Sequence, residues 1–303
     1  VATDTVRGAT KYLKPNDSTA EVTNAEGLKS WQSDGYTLGT QNQVNENTAN
    51  FVGWNWKAGT TTGIPTDGGT TITPSSYSFN ATSGFSIIAY TGNGSAGAKI
   101  PHGLGVVPQY FSLHRLDSTS AWDVFHHKQH ATDPQDYYFD WVNGNAPNAN
   151  TSRFNDTAPD AVNFTVGDSD YVNGNTYTYI AYCWAPKQGY SKFGGYTGNG
   201  NADGVFIYTG FKVAYLVVKL QSGTGQNWFM FDNKRDTYNP NTNSLYIDET
   251  GAESSATRND FLSNGFKMRE TGAGENGAGS YYNYVAFAAN PFVNSNGVAG
   301  TSR

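Results

Sequence analysis

The sequence predicts an all-β protein made of tandem antiparallel β-sandwich repeats with an incomplete N-terminal copy, and three observations carry that reading. The pentapeptide Tyr-Thr-Gly-Asn-Gly stands at residues 90–94 and again 106 residues later at 196–200. Three further blocks return in the same order at nearly the same spacing: 107–115 answers 213–220, Trp122 to Lys128 answers Trp228 to Lys234, and Tyr177 to Pro186 answers Tyr282 to Pro291. A fixed order at a near-constant offset is the mark of duplication. Each copy also holds six or seven short apolar runs bounded by Gly, Asn, Asp or Pro, with neither helical period nor βαβ alternation. That pattern suits a sandwich better than a barrel and excludes nucleotide-binding α/β folds.

Residues 1–59 read as the rear half of a copy. Asp34-Gly-Tyr-Thr-Leu38 and Phe51-Val-Gly-Trp-Asn-Trp56 match 162–166 and 179–184 at a shared offset of 128, and Asp4 to Gly8 resembles Asp232 to Asp236. In the run 51–56, Val52, Trp54 and Trp56 fall on one face by period two, so a buried strand is expected there. Because the chain opens on Val in mid-repeat, residue 1 is read as an artificial or processing boundary, or as the start of the ordered part.

Residues 60–84 are rich in Gly, Thr, Ser and Pro without apolar period and read as a linker, with short edge strands allowed at Thr70 to Thr73 and Tyr77 to Phe79. The first complete copy, 85–188, is expected to carry strands at 85–90, 107–115, 121–127, 136–142, 162–166 and 176–184. The second copy, 189–303, repeats them near 192–197, 204–208, 213–220, 226–232, 244–248, 264–269 and 280–288, and ends in a polar tail from Asn290. Each Asn-Gly pair is expected to place two successive residues at positive φ and so to turn the strand before it back sharply.

Composition narrows the function. Charged residues make up 15% and aromatics another 15%, and the net charge is −6. Clustered Lys and Arg for a phosphate backbone are missing, so no nucleic-acid partner is expected, and an anionic lipid surface is disfavoured on the same ground. No run of about 18 apolar residues exists to insert in a membrane. The single cysteine, Cys183, rules out a disulfide framework and a multi-cysteine zinc site.

The candidate chemistry is thin. His126 and His127 are neighbours on a strand and point to opposite faces, which opposes one shared metal, and they are read as surface polar residues. His102 lacks a Ser or Cys elbow and is read as a turn histidine, its counterpart being Tyr208 or Thr209. Asp133, Asp136, Asp140, Asp156, Asp160, Asp168 and Asp170 sit in Asn/Gly/Pro loops that suit turn capping, whereas a glycosidase pair needs two carboxyls facing across a cleft. Cys183 has Asn55 and Ala288 as counterparts, which does not fit a nucleophile. The expectation is therefore a protein that is not an enzyme, with no catalytic residue, no metal and no cofactor. The better lead is aromatic: Tyr137, Tyr138, Trp141, Tyr281 and Tyr282 cluster near loop ends, where rings stack on sugar faces beside Asn and Asp hydrogen-bonding groups.

These blocks, with Gly84-Phe-Ser-Ile-Ile-Ala-Tyr-Thr-Gly-Asn-Gly94, His102-Gly-Leu-Gly-Val-Val-Pro108, Tyr190 to Gly204 and Asp260-Phe-Leu-Ser-Asn-Gly-Phe-Lys-Met268, resemble a repeat module of marine bacteriophage and cyanophage virion proteins. The resemblance spans nearly the whole chain. It implies a tail-fibre-like or structural virion protein, often downstream of a laminin-G-like domain, and transfers no catalytic residue. The function expected is a virion, extracellular appendage that binds host-surface glycan through loops of its repeated sandwiches. Assembly is expected as a homo-oligomer, a trimer favoured, or with other virion proteins. A purely structural filament, decoration or connector joined through β edges is the alternative, and a glycan depolymerase the third reading.

Overall fold

The computed structural model describes residues 1–223 and 225–289. It is predominantly β, built of antiparallel sheets. The front carries β1 (Lys11–Tyr12), β2 (Val22–Thr23), β3 (Leu28–Trp31), β4 (Tyr36–Leu38) and, before the first Tyr-Thr-Gly-Asn-Gly strand, β5 (Ser76–Asn80). Next come β6 (Phe85–Thr91), β7 (Ala98–Pro101), β8 (Tyr110–Arg115), β9 (Asp123–His126), β10 (Tyr137–Asp140), β11 (Asn148–Ala149), β12 (Asn163–Val166) and β13 (Thr178–Trp184). The rest holds β14 (Ser191–Thr197), β15 (Phe206–Tyr208), β16 (Val213–Leu220), β17 (Phe229–Asp232), β18 (Asn241–Tyr246), β19 (Ser254–Leu262), β20 (Gly265–Met268) and β21 (Tyr281–Ala288). Helix is confined, among the described residues, to single turns at Asn42–Asn45, Thr151–Phe154 and Pro134–Asp136.

Two compact units divide the chain, and they do not coincide with the two copies: one is Val1–Asp123 with Thr151–Trp184, the other Val124–Asn150 with Ala185 onward. In the first unit the strands run β5-β6-β13-β8 beside the pair β12-β7. In the second, eight strands run β14-β21-β16-β17-β18-β19-β20-β15. This sheet curls into a nearly closed barrel, with Lys192 Nζ on the first strand donating to Tyr208 O on the last at 2.7 Å. The copies repeat one plan. β13 lies between β6 and β8 as β21 lies between β14 and β16, and β12 pairs with β7 as β20 pairs with β15.

Register sets the correspondence more finely than sequence spacing. Tyr179 faces Tyr90 across its ladder, and Tyr282 faces Tyr196. The counterpart of Tyr282 is therefore Tyr179 rather than Tyr177, and that of Cys183 is Ala286 rather than Ala288. The two-residue slip arose because period two keeps the same face.

The pentapeptide earns its repetition position by position. Tyr90 and Tyr179 stack at 5.2 Å and 19°, Tyr196 and Tyr282 at 5.2 Å and 18°. Each hydroxyl is satisfied: Tyr90 donates to Val172 O and Tyr196 to Glu275 O, both at 2.6 Å. A Cβ on Gly92 would sit 2.3 Å from Gly174 O, and one on Gly198 would sit 2.4 Å from Gly277 O, so only glycine fits. Asn173 then locks the first turn, donating from Nδ2 to Ser95 O and Gly167 O at 2.9 Å and accepting Asn93 N–H at 2.9 Å. Asn276 does the same for the second, donating to Asn201 O at 2.9 Å and Glu270 O at 2.8 Å and accepting Asn199 N–H at 3.1 Å.

The expected sharp reversal is corrected by this geometry. Only Gly94 and Gly200 take positive φ, 68° and 65°, while Asn93 and Asn199 do not. Their side chains instead accept the N–H two residues on, from Ser95 and Asn201. β6 does not hairpin into β7, which pairs with β12.

Each unit has a sheet buried on both faces, which explains continuous apolar strands such as Thr178–Trp184. In the second unit Leu216, Val218, Phe231, Phe266, Tyr282 and Ala286 form part of one core cluster. The opposite face, with Lys219 and Asn283, lies under residues 124–150. Trp228 Nε1 donates to Asp140 O at 3.1 Å, Lys219 Nζ to Gly144 O at 2.7 Å, and His126 Nε2 to Tyr284 O at 3.1 Å. In the first unit the front segment plays that part. Trp122 Nε1 donates to Lys14 O and His114 Nε2 to Thr19 O, each at 3.0 Å, and Tyr182 OH to Asp4 Oδ2 at 2.6 Å. The Asp4–Arg7 turn also reproduces Asp232–Arg235 bond for bond. One carboxylate oxygen caps two backbone N–H groups and the other takes Arg Nε, at 2.5 Å and 2.6 Å.

Two expectations are corrected in the front half. Residues 51–56 form no strand, although Val52, Trp54 and Trp56 do turn inward alternately and Trp56 meets Trp184 edge-on at 6.0 Å. Within residues 60–84 the edge strand allowed at Tyr77 to Phe79 forms as β5 beside β6, whereas the one allowed at Thr70 to Thr73 does not, although Ile72 is buried. The short strands β1, β2, β3, β7 and β11, and β19 in the second copy, were not anticipated.

Candidate functional site

The five aromatic candidates do not form one exposed group. Tyr282 is fully buried, stacked on Tyr196, its hydroxyl donating to Ala273 O and accepting from Gly277 N–H. Trp141 is buried as well. These two correct the expectation of exposure: both belong to the packed interior. Tyr281 is half-buried, its ring lying over Gly195, where a Cβ would come within 2.2 Å of the hydroxyl. Tyr137 and Tyr138 sit on β10, half-buried, and one face of Tyr137 is stacked on His130 at 4.2 Å and 13°.

The histidines are interior groups. His126, expected at the surface, is 2% exposed; Lys128 N–H and Asn283 Nδ2 both lie 3.1 Å from its Nδ1, and burial lowers its pKa to about 3. His127 is half-buried and donates to Phe193 O at 3.1 Å, its pKa lowered by burial. The pair was misread because β9 is buried on both faces and ends at His126, which leaves neither histidine on an open strand face. His102 is buried, Nδ1 accepting Leu104 N–H and Nε2 donating to Asp160 O. Thr209 takes the same position in the second copy, its hydroxyl accepting Phe211 N–H. A residue that Thr replaces in the same bond serves the turn.

Cys183 is buried and its thiol pKa is raised by desolvation, so thiolate chemistry is closed to it. Asp140 and Asp160 accept backbone N–H groups two residues on, from Val142 and Val162, as turn capping requires. Among the described residues no three His, Cys, Asp or Glu side chains gather to hold a metal ion. The buried carboxylate of Glu275, pushed up to about 8 by desolvation, is paired with Arg258 Nη1 at 3.0 Å inside the second unit.

An open concavity lies elsewhere on the second unit. A cleft of about 440 Å³ is walled by Lys187, Ser191, Lys192, Tyr208, Thr209 and Gly210 among others. Tyr208 is 60% exposed, and Lys192 Nζ stands 5.3 Å from its ring centroid while bonded to its carbonyl. Burial lowers the Lys187 ammonium pKa. Neither Lys187 nor Lys192 has a carboxylate partner among the described residues. Sequence reasoning passed over this place. The usable signal was the run Phe206-Ile-Tyr208, where a buried Ile207 forces both aromatics outward by period two.

Among known protein families, the model described as Domain of unknown function (DUF7483) matches residues 1–291. No curated protein matches the chain, and no solved structure does. No helix among the described residues is long and apolar enough to cross a membrane.

Proposed function

The chain belongs to that family of unknown function, DUF7483, and we propose that it is part of a phage virion appendage that holds host-surface glycan without chemistry. In this reading tandem β-sandwich copies, with an incomplete copy at the front, form a scaffold that acts outside the cell, as a homo-oligomer or with other virion proteins. The observation that carries it is the contrast between interior and surface. The Tyr stack, the glycine approaches and the Asn lock are built twice with the same bonds, while outward residues differ between copies, Ser95 and Lys99 answering Asn201 and Phe206. A twice-built interior with divergent surfaces supports a display scaffold, and several weak sites on an oligomer give useful avidity. The histidines and Cys183, the groups most suited to proton transfer or nucleophilic attack, are engaged or desolvated.

The alternative, a filament, decoration or connector joined through β edges, takes its motive from the incomplete front copy, of which Asp4, Lys14 and Thr19 are bonded into the first unit. The test is retention of purified host-envelope polysaccharide by the immobilised chain, with the length of the polysaccharide measured before and after. Retention at unchanged length is expected. No retention from any envelope fraction, or shortened products, overturns the reading.

A further inference from the structure

The cleft beside β14 has a counterpart in the first copy, and there it is filled. Gly103 and Gly210 are equivalent: their φ angles are 74° and 88°, and each follows the residue, His102 or Thr209, that accepts an N–H two positions on. Phe79 of β5 lies so close over Gly103 that a Cβ there would meet its ring at 2.7 Å. Over Gly210 the three nearest atoms all belong to Tyr208, the closest at 3.5 Å. The second copy thus keeps open what a phenyl ring closes in the first.

An incoming strand does not suit this opening. β5 bonds along β6 opposite Phe85 and Ile87, whose counterparts are Ser191 and Phe193. Ser191 is already paired in both directions with the Lys187 backbone, and Phe193 O accepts from His127. What remains is a small pocket lined by two lysines and an exposed ring. Lys192 is held by one of its three protons, which leaves two for a ligand. In a chain of net charge −6, two lysines beside one cleft with no carboxylate partner among the described residues mark a local site for an anion.

We propose that this cleft binds a carboxylate-bearing sugar of the uronic acid class, its carboxylate held between Lys187 and Lys192 and a pyranose face lying on Tyr208. The proposal rests on the glycan-binding reading above and names the sugar chemistry it selects. Charge-assisted hydrogen bonds supply the selectivity, and the ring supplies apolar contact to the C–H face of the sugar.

The experiment is calorimetric titration of the full chain with tetragalacturonate and, separately, with its uncharged methyl ester. Wild type is compared with Lys187→Ala, Tyr208→Ala and, as a control for loss of a surface lysine outside the cleft, Lys29→Ala. Binding of the acid form at least about tenfold tighter than the ester is expected. Lys187→Ala should remove that preference without altering ester binding, Tyr208→Ala should weaken both forms, and the control should change neither. Equal binding of acid and ester, or acid binding unchanged in Lys187→Ala, overturns the proposal while leaving glycan binding intact. Retention of envelope polysaccharide without any affinity for uronate likewise removes the cleft assignment alone, whereas loss of all saccharide binding removes the functional reading with it.

Discussion

Removing the amide of Asn173 tests the scaffold argument at its most buried point. The side chain is fully buried, its Nδ2 shares two protons among Ser95 O, Gly167 O and Asn93 Oδ1 at 2.9, 2.9 and 3.2 Å, and its Oδ1 takes Asn93 N–H. Asn173→Ala discards three good bonds and one long one and strands their partners inside. At about 1 kcal/mol per bond the loss is about 3–4 kcal/mol. Asn173→Asp keeps the shape but points carboxylate oxygen at three acceptors, so it should cost at least as much. Asn276 makes the same set of bonds in the second copy, so Asn276→Ala should cost about the same. Urea unfolding followed by tryptophan fluorescence reads the loss, with variants compared by midpoint at constant slope. A loss below about 1 kcal/mol for either Ala variant, or an Asp variant as stable as wild type, would refute the reasoning.

Further outcomes follow from the same structure. Gly92→Ala and Gly198→Ala should each destabilise by about 2–3 kcal/mol, because the added methyl meets backbone carbonyls at 2.3 and 2.4 Å. Gly59→Ala, with nothing within 4 Å, should stay within about 0.5 kcal/mol in the same urea assay. Burial keeps His114 neutral, its pKa lowered from 6.5 to about 4. The unfolded chain then takes up a proton below pH 6.5 that the native state refuses. Its contribution is complete above pH 6.5 and falls away toward pH 4, by up to about 1.4 kcal/mol per pH unit. Unfolding curves at pH 7, 6 and 5 should show that slope added to those of His102, His126 and His127, which burial lowers likewise, and His114→Gln should reduce the total by one histidine's share. Cys183 should resist a thiol reagent in the native protein and react fully in denaturant, since its sulfur is buried and desolvated.

The repeat and the β class were legible because Tyr-Thr-Gly-Asn-Gly imposes short-range constraints: a ring, a close-approach glycine, an Asx turn and a positive φ. What those residues bond to was not legible, since Asn173 and Asn276 lie 80 and 77 residues from Asn93 and Asn199. β19 escaped notice because Ser254–Leu262 is mostly polar and alternates exposed with half-buried positions over its first half, so its strand character comes from lying between β18 and β20. Sheets buried on both faces misled the reading of His126 and Tyr282, for period two tells faces apart only when one of them meets water. The cleft was hidden for another reason. Its walls come from residues 186–192 and 208–211, and its vacancy shows only against Phe79 in the first copy.

The claim beneath all of this is that one hydrogen-bonded lock is built twice, and native-state hydrogen exchange reads it directly. Gly174 N–H donates to Tyr179 OH and Gly277 N–H to Tyr282 OH, each at 2.8 Å. The account predicts that both amides, although in loops, exchange among the slowest in the chain and at similar rates. Either amide exchanging at the rate of an open loop would contradict it.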